Sequence, residues 1–373
     1  MTSELSSLCS YAKGKVSVDT LSKRNYVSTE NMMPNKGGIV DAGALPSAQY
    51  TQQYIKDDIL VSNIRPYFKK IWMADDDGGC SNDVLVFRAD RGCDSTFLYY
   101  ILANDAFFNY ASATSKGTKM PRGDKTAIMQ YKVPCFNYET QLRIGKLLRS
   151  IDDRIAVNKK INDNLQQQAA ALFSSLYDRT NTEVRFTDLI QILGGGTPKT
   201  GENTYWNGNI AFFTPKDVGT PYTLITEKTI TEGGLSHCNS RLYPVNTVFV
   251  TARGTVGKVG MSGVPMAMNQ SCYALVGKET HQLLVYFYTL KVVDRLKHKA
   301  SGAVFDAITT KDFESEQIMK LSDDDARAFL CIAEPMFQKV LNNCIANLRL
   351  STLRDSLLPK LMSAEIDVSA VQL

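Results

Sequence analysis

Histidine is scarce in this chain of 373 residues, with only His237, His281 and His298. The eight cysteines, Cys9, Cys80, Cys93, Cys135, Cys238, Cys272, Cys331 and Cys344, include no C-x-x-C pair. A zinc site therefore has little to draw on. Scattered thiols in a chain of this length predict a reduced, cytoplasmic protein without a disulfide framework. No apolar stretch reaches the roughly 18–20 residues needed to span a bilayer, so no membrane partner is expected. The start, Met1-Thr2-Ser3-Glu4-Leu5, has an early acid and no apolar h-region, which argues against secretion. Catalytic signatures are missing as well. There is no H-E-x-x-H, no G-x-S-x-G, no N-P-P-Y or D-P-P-Y tetrapeptide of amino-methyltransferases, and no F-x-G-x-G. Neither an enzyme nor a bound cofactor is expected.

What is present is ordinary globular composition, 44% hydrophobic and 21% charged, with length for two cores. The 42 basic and 38 acidic residues give a net charge of +4, which excludes a uniformly basic coat but not local basic strips. Two glycine-rich stretches superficially resemble phosphate loops. In Gly194-Gly-Gly-Thr-Pro-Lys-Thr200 the lysine follows Pro198, and in Arg253-Gly-Thr-Val-Gly-Lys258 it precedes Val259. Neither satisfies G-x-x-x-x-G-K-[ST], so ATP binding is not expected. Both stretches read as tight turns after strands. Their glycines would also let the main chain approach a nucleic-acid phosphate, with Lys199, Arg253 and Lys258 supplying charge.

Self-comparison is the most informative step. Tyr54-Ile-Lys-Asp-Asp-Ile-Leu-Val-Ser62 resembles Tyr243-Pro-Val-Asn-Thr-Val-Phe-Val-Thr251, and Phe97-Leu-Tyr-Tyr100 matches Tyr286-Phe-Tyr-Thr289, both at an offset of 189. Ser115-Lys-Gly117 stands opposite Ala300-Ser-Gly302, and Leu172-Phe-Ser-Ser-Leu176 opposite Leu357-Leu-Pro-Lys-Leu361, at 185. The chain thus reads as two copies of one plan, a mixed domain followed by a helix. The expected boundaries are 1–136 and 179–321 for the mixed domains, 137–178 and 322–363 for the helices, and 364–373 for a tail.

Ten positions in the first helical segment alternate in steps of 4 and 3: Ile144, Leu148, Ile151, Ile155, Asn158, Asn162, Leu165, Ala169, Leu172 and Leu176. The second reads Phe329, Ala333, Met336, Val340, Asn343, Asn347, Leu350, Arg354, Leu357 and Leu361. Asn137 and Ser322-Asp-Asp-Asp325 are helix-start signals. Pro335 is expected to kink or break the second helix, and Gly145 to loosen the first. Two amphipathic helices on separate domains would give the same pattern. The asparagines favour a helix pair, because polar residues at a buried seam set register. An antiparallel pair would place Asn158 against Asn347 and Asn162 against Asn343. The predicted pairing residues are Ile151, Ile155, Asn158, Asn162, Leu165, Leu172, Val340, Asn343, Asn347, Leu350 and Leu357.

The mixed domains carry short β-rich runs, Ile59-Leu-Val61, Val84-Leu-Val-Phe87, Ile210-Ala-Phe-Phe-Thr214 and Val248-Phe-Val-Thr-Ala252, each followed by one helical run, Phe97–Tyr110 or His281–Lys299. This is α+β rather than a βαβ alternation. Residues 1–135 carry 16 basic and 14 acidic groups, and residues 179–321 carry 15 and 12. Basic clusters recur in both: Arg65, Lys69, Lys70, Lys116, Lys119, Arg122 and Lys125 in the first, Arg253, Lys258, Lys291, Arg295, Lys297 and Lys299 in the second. The acidic runs Asp75-Asp-Asp77 and Asp323-Asp-Asp325 read as loop and helix N-cap charge.

Ile192-Leu-Gly-Gly-Gly-Thr-Pro-Lys-Thr200, Tyr205-Trp-Asn-Gly208, Phe212-Phe-Thr-Pro-Lys-Asp217, Thr251-Ala-Arg-Gly-Thr-Val-Gly-Lys258, Asn269-Gln-Ser-Cys-Tyr-Ala-Leu275 and Leu353-Arg-Asp-Ser-Leu-Leu-Pro-Lys-Leu-Met-Ser363 resemble a target-recognition domain and its helix. Asp57-Asp-Ile-Leu-Val-Ser-Asn-Ile-Arg-Pro66 and Cys80-Ser-Asn-Asp-Val-Leu-Val-Phe87 are similar to a divergent sister domain. The family is the DNA-specificity (S) subunit of type I restriction–modification systems. The resemblance implies two target-recognition domains in tandem pseudo-twofold repeat, separated by two long helices forming an antiparallel coiled coil. It implies double-stranded DNA as ligand, two methyltransferase subunits docked on the helices, and endonuclease/translocase subunits in the full complex. Thr197 and Lys216, inside the quoted motifs, join Lys199, Arg253, Lys258 and the first domain's cluster as candidate DNA contacts. The first domain departs from the second where Arg65-Pro-Tyr-Phe replaces Gly-Thr-Val-Gly, so two different half-sites are implied. A type IIB-like specificity component, a protein-binding adaptor and a competent methyltransferase are the competing readings.

Overall fold

A computed structural model of the chain describes residues 2–219, 221–299 and 307–368. The expected counterpart of Ser115-Lys-Gly117, Ala300-Ser-Gly302, lies outside these residues. The chain divides into two compact units, Met1–Ile155 with Arg349–Leu373, and Ala156–Leu348. Each long helix, Tyr138–Tyr177 and Asp323–Met362, contributes one end to each unit.

In the first unit, Cys9–Tyr11, Val84–Ala89, Ile59–Ser62 and Ile71–Met73 form an antiparallel sheet in that order. Its strands are apolar on both sides because both faces are covered. Ile59, Val61, Leu85 and Phe87 face a core that includes Phe97, Leu98, Phe107 and Leu148. Leu60, Val84 and Val86 face a second core with Val27, Met32, Tyr54 and Cys80. The alternation is the two-residue period of a pleated strand. The smaller sheet behind it, Lys15–Ser17, Tyr50–Tyr54, Gly78–Cys80 and Tyr26–Val27, ends in a parallel pair.

The second unit repeats this order. Ile190–Gly194, Cys272–Gly277, Val248–Thr251 and Val259–Ser262 are neighbours in one sheet, extended by Tyr222–Thr223. Val248 and Val250 face one core while Phe249 faces another. The parallel pair recurs as Trp206–Phe213 with Met266–Met268. Each unit also has a two-stranded clasp, Thr2–Glu4 with Lys132–Pro134 and Glu183–Arg185 with Gln317–Met319.

The first unit's helical run is broken where a single helix was expected. Ser95–Ala103 stops at Asn104, whose extended backbone ends it and whose side chain accepts from Ala106 N to cap Asp105–Ala113. Asparagine competes with the helix through this local hydrogen bond. The corresponding helix of the second unit, Gln282–Lys299, is continuous.

Both long helices start on the expected caps. Asn137 Oδ1 accepts from Thr140 N at 2.8 Å, and Ser322 Oγ from Asp325 N at 3.1 Å. Pro335 lies inside the second helix, which runs unbroken from Asp323 to Met362, so the break expected there does not occur. It sits on the exposed face with Cys331, so the carbonyl deprived of its donor opens to water. Gly145 does not interrupt the first helix. A Cβ there would lie 2.9 Å from Asp94 Oδ1 and 3.2 Å from Phe97 N, so glycine admits the capped start of Ser95–Ala103 against the helix flank.

Within the second unit the two helices run antiparallel. Asn158 Nδ2 donates to Asn347 Oδ1 and Asn343 Nδ2 to Asn162 Oδ1, each at 2.8 Å. Val340 is fully buried, and Leu165 and Leu172 are half-buried against the same core. Within the first unit, Asp152 accepts from Arg354 Nη1 and from Tyr100 Oη, each at 2.6 Å. Ile151 and Ile155 are buried there, Leu357 is half-buried against that core, and Leu350 is half-buried.

Candidate nucleic-acid interface

Corresponding hairpins of the two units differ at their tips. In the second unit, Val248–Thr251 turns back to Val259–Ser262 through Gly254 and Gly257, at φ of +82° and +75°. Thr251 Oγ1 accepts from Lys258 N at 2.9 Å and fixes the turn. In the first unit, Ile59–Ser62 turns back to Ile71–Met73 through a single helical turn, Pro66–Phe68, flanked by left-handed Arg65 and Lys69 at φ of 50° and 51°. Neither residue favours that region.

Backbone bonds hold this first tip. Arg65 N donates to Pro121 O, Asn35 N to Phe68 O, and Lys36 N to Lys69 O, all at 2.8 Å. Lys36 and Lys69 each reach Asp105 at 2.9 Å. Their hydrogen bonds hold its carboxyl below the usual carboxylate range. Lys70 Nζ donates to Thr29 O at 2.6 Å. The 116–122 loop closes on itself through Lys116 N to Arg122 O and Arg122 N to Lys116 O, both 2.9 Å, and bridges to the hairpin at Ile64. Lys116 pairs with Asp124 at 2.6 Å and Arg122 with Asp83 at 3.0 Å. Lys119 is exposed, and Lys125 Nζ lies 6.0 Å from the Tyr11 ring centroid. Arg65, Lys69, Lys70, Lys116 and Arg122 are thus gathered around one hairpin, several of them fastening it.

In the second unit the predicted residues fall on adjoining loops. A Cβ on Gly195 would meet Asn269 O at 2.2 Å, so the 194–199 loop lies directly on the backbone at 269. Thr197 Oγ1 bonds to Gln270 Oε1, and Arg253 N donates to Ser271 O at 3.2 Å. Thr255 Oγ1 donates to Pro215 O at 3.2 Å, bringing the 253–258 hairpin onto the loop of Lys216. Lys199, Arg253 and Lys258 are exposed, while Lys216 is 3.6 Å from Glu227. The cluster on Gln282–Lys299 is spent differently. Arg295 reaches Gln317 O and Tyr177 Oη, Lys299 pairs with Glu316, and Lys291 lies over the Tyr177 ring. Arg295 thus ties the clasp strand at Gln317 to the long helix at Tyr177.

The sequence motifs contain Tyr67, Phe68, Asn269 and Gln270, but none of the four was among the candidate contacts. The departure of Arg65-Pro-Tyr-Phe from Gly-Thr-Val-Gly was the signal for the first pair.

The family model for the type I restriction modification DNA specificity domain matches residues 1–167 and, a second time, 179–320. The chain belongs to this family. As a specificity subunit it is 31% identical over 127 residues to the MjaIX specificity subunit of Methanocaldococcus jannaschii, a match spanning 32% of this chain and 29% of that one. It is 23% identical over 434 aligned positions to the HindI specificity subunit of Haemophilus influenzae, covering 91% and 94%. The fold resembles the crystal structure of the S subunit of a type I restriction–modification system from M. genitalium, at a TM-score of 0.63, 17% identity and coverage of 97% and 96%. Among the described residues of this specificity subunit no His, Cys, Asp or Glu cluster is arranged to hold a metal, and no helix is long and apolar enough to cross a membrane.

Proposed function

We propose that each domain reads one half of a bipartite, non-palindromic target in double-stranded DNA. The long helices join the readers and dock two methyltransferase subunits, with endonuclease/translocase subunits completing the assembly. The observation that carries this reading is the pair of equivalent hairpins, built on sheets of one strand order but tipped by different residues. One scaffold with two tips suits two different half-sites.

Loop side chains enter the major groove, where the four base pairs are distinguishable. Lys119, Lys125, Lys199, Arg253 and Lys258 hold phosphates and make affinity salt-sensitive. The subunit itself makes and breaks no covalent bond. The methyltransferase partner swings the target base out of the stack, and this chain positions the duplex for it.

Co-expression with a methyltransferase partner, followed by single-molecule methylation mapping, tests the reading. It requires two unlike half-sites separated by unread bases. A single continuous motif overturns it, and S-adenosylmethionine binding by the isolated chain refutes the non-catalytic role.

A further inference from the structure

At the tip of the first domain's hairpin, Tyr67 and Phe68 are 52% and 40% exposed, with ring centroids 4.8 Å apart. Two large aromatics side by side in water are costly unless something covers them. Their backbone is held by left-handed Arg65 and Lys69, the hydrogen bonds to Pro121, Asn35 and Lys36, and the shared Asp105 ion pairs. Strain retained on both sides of one helical turn marks a segment whose shape is used. The neighbouring loops present exposed Met33 and Met120. Around this apolar tip lie Lys36, Lys69, Lys70, Lys116, Lys119 and Arg122, six cations against the three carboxylates of Asp105, Asp124 and Asp83 that four of them pair with.

We propose that Tyr67 and Phe68 form an aromatic wedge that stacks against a partly opened base step in the half-site read by the first domain. The proposal rests on the DNA-reading function above. Apolar side chains inserted between base pairs, flanked by cations on phosphates, are a recurring way of kinking a duplex. A basic rim suits a polyanion, whereas lysine is depleted in protein–protein interfaces. Because the tip is already rigid, insertion orders little of the protein. The second domain has Thr255 and Val256 between its two turn glycines, so its half-site is left stacked.

The test uses the full chain complexed with its methyltransferase, and duplexes of the mapped target in which 2-aminopurine replaces one adenine at a time in or beside each half-site, the methylated bases excepted. Wild type should raise fluorescence at one step in one half-site. Tyr67→Ala with Phe68→Ala should abolish that rise and weaken specific binding on the order of tenfold to a hundredfold, with an unchanged salt slope. Tyr67→Phe with Phe68→Tyr should keep both. Thermal melting controls for folding, and both side chains are exposed. A rise in neither half-site, or one that survives the alanine pair, overturns the wedge. So does loss of methyltransferase co-purification with DNA affinity intact, which would make the tip a protein contact. Wild type that retains no duplex refutes the DNA-reading function together with the wedge.

Discussion

Asn162 and Asn343 face each other across the helix pair at 2.8 Å, both buried, and Asn162 Nδ2 also points at Val340 O at 3.5 Å. With Asn158 and Asn347 they place four amides in the seam among apolar residues such as Leu165 and Val340. A register slip would set these amides against leucine, isoleucine or valine. Asn162→Leu alone should cost about 1–3 kcal/mol, because Asn343 is left unpaired. Adding Asn343→Leu should recover most of that loss. Denaturation of the two single variants and the double variant measures the coupling; additive losses would show that the amides do not act as a pair.

Helix length carries the second prediction. Forty helical residues extend about 60 Å, against roughly 34–36 Å per turn of DNA. Inserting one heptad in each long helix should lengthen the unread spacer and leave both half-sites intact. Methylation mapping with an unaltered spacer would rule the helices out as a ruler.

Free and committed cations should separate in binding experiments. Arg253→Ala or Lys258→Ala should weaken DNA binding across all sequences and lower the salt slope by about 1 each. Lys216→Ala should do less, since Glu227 already partners it. Affinity titrated against salt distinguishes them.

Asp105 makes the first hairpin acid-sensitive. Its lowered carboxyl contributes fully above the unfolded carboxylate's value of about 4, and the contribution fades as pH falls through the lower folded value. Asp105→Asn should therefore melt below wild type at neutral pH, and the two curves should converge in acid. A difference that persists at low pH contradicts the ion-pair account.

Thiol chemistry follows burial. Burial pushes Cys80 and Cys272 up to about 12, and raises Cys9 as well. Cys135 and Cys331 are exposed. Brief alkylation at about pH 8, read by mass spectrometry, should mark Cys135 and Cys331 first and the buried three only after denaturation.

The long helices were legible because heptad spacing and caps are local: Asn137 and Ser322 sit beside the turns they start. The tolerance of Pro335 was not, since it depends on which face the fold leaves in water. Asn104 shows a local signal misread, for an Asn-Asp pair ends one helix and begins another as readily as it sits within one. The shared strand order was invisible because pairing joins segments far apart, as Leu60 with Val86. For the same reason a single sequence placed Lys69 among the candidate DNA contacts without its partner, although Asp105 lies 36 positions away in the chain and 2.9 Å away in space. Residue type marked the basic clusters; only geometry sorted those that fasten loops from those that face solvent.

The first unit draws Leu358, Leu361 and Val368 into the core that holds Leu5, Phe97 and Leu148. During synthesis, residues 1–155 leave the ribosome long before these side chains exist. The first reader must therefore wait with an open apolar face while the second, whose residues are contiguous, closes ahead of it. A premature stop near residue 349 would cripple the domain translated first and spare the one translated later.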